Sequence, residues 1–67
     1  MYDLDTIIES INNGQRKQAL DQLNNSQYLL EDLFKRLLEE QMPKEIIVMY
    51  RVAVNSGYIS FNPANLN

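Results

Sequence analysis

Between Leu29 and Leu38 the apolar residues come in adjacent pairs, Leu29/Leu30, Leu33/Phe34 and Leu37/Leu38, separated by the charged pairs Glu31/Asp32 and Lys35/Arg36. Pairs that recur every three or four residues lay a broad apolar face along an α-helix, and they have no period of two that would suit a half-buried strand. No other segment constrains the fold as strongly, because such a face has to be covered by other amphipathic elements. The pattern predicts a helix over about 27–41, in which Glu31–Lys35 and Asp32–Arg36 are i,i+4 pairs in the favourable order.

The flanking segments supply matching faces. Leu4, Ile7, Ile8 and Ile11 fall at i, i+3, i+4 and i+7 and predict a helix over about 4–12. Asp3 suits its N-cap, Asp5 and Glu9 place negative charge near its N-terminus, and Gly14 suits a left-handed position after Asn12-Asn13. A second helix is expected over about 15–24 with Ala19, Leu20 and Leu23 inward, closed by Asn24-Asn25-Ser26. Pro43 disfavours helical geometry at Met42 and suits the first turn of a new helix. Over 44–55 two readings compete. A helix would turn Ile46, Ile47, Tyr50, Ala53 and Val54 inward. A strand would align Ile46, Val48, Tyr50, Val52 and Val54 and return through Asn55-Ser56-Gly57 as Tyr58-Ile59-Ser60-Phe61. The β-branched content favours the strand; Pro43, Gly57 and the polar face at Lys44, Arg51 and Asn55 favour the helix. The expected fold is therefore all-α, a compact bundle of four short helices in antiparallel hairpins, with three helices plus a C-terminal β-hairpin as the alternative. One helical domain over 1–61 and a frayed tail over 62–67 complete the expectation.

Composition limits the chemistry. The chain has 67 residues and no cysteine, histidine or tryptophan, so disulfide staples, thiol nucleophiles and the usual zinc, copper and haem ligand sets are excluded. A domain of this size buries only about 60% of its unfolded surface, so its stability rests on apolar packing and, where that falls short, on a second chain. Nine acids against six bases give a net charge of −3, the opposite of the basic excess typical of duplex-binding proteins. No apolar run approaches the length of a bilayer span, and the acidic start Met1-Tyr2-Asp3-Leu4-Asp5 lacks the basic region of a signal peptide. A cytoplasmic location is the expectation, the host cytoplasm if the chain is phage-encoded.

Two resemblances bear on organisation. Gly14-Gln15-Arg16-Lys17-Gln18-Ala19 resembles the Gly-to-Ala spacing at the inter-helix turn of tetratricopeptide hairpins over about ten residues, which implies a tight antiparallel helix pair. The stretch Asn13–Leu20, together with Met49-Tyr50-Arg51-Val52-Ala53 and Gly57-Tyr58-Ile59, resembles small accessory proteins encoded by bacteriophages. That resemblance implies a compact module that binds a host or phage protein, an inhibitor being one concrete form.

Polar residues offer little for catalysis. A calcium loop starting at Asp3 needs glycine at its sixth position and glutamate at its twelfth, where this chain has Ile8 and Gly14. Glu39, Glu40 and Glu45 surround the Met42-Pro43 turn as a solvated charged face, and Ser10, Ser26, Ser56 and Ser60 have no histidine to activate them. No enzyme, cofactor or metal is expected. Arg16 and Lys17 oppose the dipole at a helix start, which marks them as candidates for contact with an anion or an acidic partner. Pairing with Asp21, or with Asp3 and Asp5, is the bland alternative.

The surplus of apolar side chains lies near the C-terminus. As a helix, 44–55 is apolar almost all the way round, and a four-helix domain cannot cover every side of it. Val48, Met49, Val52, Tyr58, Ile59 and Phe61 are therefore the expected partner-binding residues. A non-enzymatic interaction module, binding a protein partner or itself, is the favoured function. The rival is a small nucleic-acid-associated regulator using Arg16, Lys17, Lys35, Arg36 and Arg51 on phosphates.

Overall fold

A computed structural model describes residues 1–58 and contains four helices, α1 (Leu4–Asn12), α2 (Arg16–Asn24), α3 (Leu30–Glu39) and α4 (Pro43–Asn55). The all-α expectation holds. Residues 44–55 are helical, so the C-terminal hairpin alternative falls: with Pro43 in the first turn and a left-handed glycine at the end, the helix signals prevail over β-branched content. Ile59, Phe61 and the tail over 62–67 lie outside the described residues.

Local chemistry sets each boundary. Asp3 caps α1 by accepting the Thr6 N–H at 2.9 Å, and that bond holds its carboxyl below the usual carboxylate range. α1, α3 and α4 all end in the same double-bonded turn. At the first end the Gly14 N–H donates to the Ile11 carbonyl (3.0 Å) and the Gln15 N–H to Ser10 (2.9 Å). At the second, Gln41 donates to Leu38 (3.1 Å) and Met42 to Leu37 (2.8 Å); at the third, Gly57 donates to Val54 (3.1 Å) and Tyr58 to Ala53 (2.9 Å). Each turn needs one residue in the left-handed region: Gly14 at φ 78°, Gly57 at φ 75° and, without a glycine, Gln41 at φ 59°.

Two helices start later than periodicity suggests. α2 begins at Arg16 because Gln15, whose N–H closes the turn behind it, has a non-helical ψ of 68° and serves as the N-cap. α3 covers 30–39 where 27–41 was expected. Upstream, the Ser26 hydroxyl accepts the Tyr28 N–H (3.1 Å) while donating to the Leu23 carbonyl (2.6 Å), and the Asp32 carboxylate accepts the Leu29 N–H (2.8 Å). These side-chain bonds hold the backbone before Leu30 outside the helix. Downstream, the left-handed Gln41 ends it.

The helices form two hairpins, α1–α2 and α3–α4, which pack into a ring: α4 lies on both α2 and α3, and α1 also meets α3. Ile7, Ile11, Leu23, Leu33, Leu37 and Met49 are the largest fully buried side chains, with Ile8, Ala19, Leu20 and Ala53 beside them. Leu4, Leu30, Phe34, Met42, Ile46, Val52 and Tyr58 close over this core from its edges. The apolar pairs of α3 are split by the packing. Leu33 and Leu37 are inside with Leu30 and Phe34 at the edge of the core, Leu38 stays exposed on the far side of the helix, and Leu29, extended before α3, is exposed as well.

Candidate interaction surface

Helix α4 carries the functional candidates, and its orientation corrects several expectations. Met49, expected on the partner-binding surface, is fully buried together with Ala53, with Ile46 and Val52 at the margins of that face. Ile47 and Tyr50, expected inward, are 64% and 43% exposed, and Val54 is half-buried. The physical reason is the register of the helix. Met42, Ile46, Met49 and Ala53 repeat at i, i+4, i+7 and i+11 and follow the groove between α2 and α3, so Ile47, Tyr50 and Val54 turn away from it. The polar side at Lys44, Arg51 and Asn55 is narrow, and the wide apolar remainder leaves the choice of inward residues to packing. Of the expected interface residues, Val48 is half-buried, while Val52 and Tyr58 are partly taken up by the core.

Lys44, Ile47 and Arg51 lie one turn apart on the outer side of α4, and all three are exposed. The only acid in the helix is Glu45. Both its oxygens are held by Arg16, with Nε donating to Oε2 at 2.9 Å and Nη2 to Oε1 at 2.7 Å. This two-pronged bond keeps the Glu45 carboxyl below its usual range against the opposing effect of burial. It ties the start of α2 to the start of α4. Arg16, expected to meet an anion, Asp21 or the α1 acids, therefore has a partner in α4. Lys17 is exposed and makes no ion pair among the described residues.

Arg36 also differs from expectation. It pairs with Asp5 of α1 and, at 3.4 Å, with Glu40, while Asp32 is committed to the Leu29 N–H. A buried polar bond that periodicity does not reveal joins α1 to α2: the Ser10 hydroxyl donates to Gln22 Oε1 at 2.7 Å.

At the α3–α4 corner, Gln41, Met42, Pro43, Lys44 and Glu45 line an open depression of about 470 Å³. Leu38, 63% exposed, lies one turn before Gln41 in sequence, and Ile47 lies one turn after Lys44. Glu39 belongs to a different depression, shared with Leu4, Tyr28 and Arg36 on the α1 side. Among the described residues no three carboxylates converge as a cation site would need, and no helix is long and apolar enough to cross a membrane. No family model, curated protein or solved structure matches the chain.

Proposed function

We propose that this chain is a non-enzymatic protein-interaction module, a cytoplasmic accessory factor of the phage or prokaryotic kind, that binds through the outer face of α4. The observation that carries the reading is the exposure of Ile47 on the side of α4 away from Met49 and Ala53, which already complete the core, with Tyr50 exposed on the flank beside it. Large apolar side chains left outside a full core add nothing to folding, and their burial against a partner supplies binding energy. The nucleic-acid reading is weaker because two of its bases, Arg16 and Arg36, are engaged with Glu45, Asp5 and Glu40. The remaining bases do not add up to a counterion-displacing stripe.

Size-exclusion chromatography with light scattering, followed by native mass spectrometry of material captured from a cell lysate, tests the proposal. The expected result is a stoichiometric protein partner or a second copy that is lost in Ile47→Asp and Tyr50→Asp while helical content is retained. Identical species from wild type and both variants would refute it.

A further inference from the structure

The outer face of α4 has a charge opposite to that of the molecule around it. The chain as a whole carries −3, yet the exposed polar residues at one-turn spacing from Ile47 are Lys44 and Arg51, and the one acid of α4 is neutralised by Arg16. Neither Lys44 nor Arg51 makes an ion pair among the described residues. The nearby acids of α3 are directed elsewhere, Glu40 to Arg36 and Glu39 to the depression on the α1 side. An apolar anchor, Ile47, thus stands between two unpaired positive charges.

Resting on the interaction reading above, we propose that this face docks an acidic amphipathic helix of a partner protein. Its apolar residues pack on Ile47, with Tyr50 at the edge of the contact, and its carboxylates meet Lys44 and Arg51. Lys44 and Arg51 are seven residues apart, which is two helical turns or about 10 Å. A partner helix lying along α4 matches them with acids at the same seven-residue spacing, and the apolar residues between them fall on the same side. Other occupants fit less well. A second copy using this face about a two-fold axis would set Lys44 and Arg51 against their own counterparts, a like-charge contact that disfavours pairing. Anionic membranes recruit clusters of about four to eight bases, and this face presents two.

The test uses the full chain and three fluorescently labelled helical peptides that share leucine anchors and differ at two positions seven residues apart: Glu, Gln or Lys. Fluorescence anisotropy should show the Glu peptide binding at least about tenfold more tightly than the other two. Ile47→Asp should abolish binding, and the Lys44→Glu/Arg51→Glu double variant should transfer the preference to the Lys peptide. Circular dichroism on each variant verifies that the fold persists. Equal binding of all three peptides, with Ile47→Asp still abolishing it, overturns the acidic preference and leaves the interaction reading standing. Absence of binding by every peptide overturns the acidic-helix proposal, and the capture measurement above then reports on the interaction reading separately. Two further results also overturn it: a dimer that Ile47→Asp disperses, or binding to phosphatidylglycerol vesicles in preference to the Glu peptide.

Discussion

Gln41 holds a left-handed backbone conformation that Gly14 and Gly57 adopt at the equivalent ends of α1 and α4. A side chain at such a φ costs about 1–2 kcal/mol, part of which glycine returns as chain entropy in the unfolded state. Gln41→Gly should therefore raise stability by roughly 0.5–1 kcal/mol, read as a higher urea midpoint at unchanged slope. Gly14→Ala should lower it by about 1–2 kcal/mol, and since nothing lies within 4 Å of the added carbon, the loss would come from the backbone alone. An unchanged midpoint in either variant would show that these turns tolerate any residue. The two glycine turns were legible in the sequence because Gly after an apolar stripe is a known stop signal. The turn at Gln41 was not, since glutamine signals nothing about φ, and α3 consequently reads as longer than it is.

Contacts between elements depend on polar side chains that periodicity treats as surface. Ser10 and Gln22 are both buried and satisfy each other between α1 and α2. Gln22→Ala should cost about 1–3 kcal/mol, because the Ser10 hydroxyl would be left without its partner. Adding Ser10→Ala should recover part of that loss, and a double-mutant cycle with zero coupling would show that the bond does not act as drawn. The Arg16–Glu45 bond joins α2 to α4, and it makes a prediction about pH. The Glu45 carboxyl is held below its ordinary value of 4.5 in the folded state, mainly by its hydrogen bonds to Arg16. The folded state thus binds this proton less readily than the unfolded one. Its contribution is complete above that ordinary value and disappears as pH falls through the depressed one. Glu45→Gln should flatten the acid limb of the stability–pH curve below about pH 4.5 and change the slope little near neutrality. An acid limb identical to wild type would mean that the pair adds nothing to folding. Neither link could be read from the sequence. The partners are 12 and 29 residues apart, and nothing local distinguishes Glu45 from Glu39 or Glu40.

For the whole molecule, the helix count, the all-α class and most of the core follow from apolar spacing, since α1, α2 and α3 each have one polar side to fix which way they face. Helix α4 has only a narrow polar side at Lys44, Arg51 and Asn55, and which of its many apolar residues face inward is set by the groove that α2 and α3 provide. The consequence is a helix with two apolar duties. Met49→Ala should lower stability by about 2–5 kcal/mol, as truncating a fully buried side chain does. Ile47→Ala, at an exposed position two residues earlier, should change it by no more than about 0.5 kcal/mol in thermal or urea unfolding. Equal losses would mean that both faces of α4 are folding surfaces. The most direct test is native mass spectrometry of complexes captured from lysate by wild type, by Ile47→Asp and by Leu29→Asp, an exposed apolar control just before α3. A partner should be retained by wild type and Leu29→Asp and lost by Ile47→Asp, with all three proteins equally helical. Capture of the same partner by Ile47→Asp, or its loss in both variants alike, would contradict a binding surface on the outer face of α4.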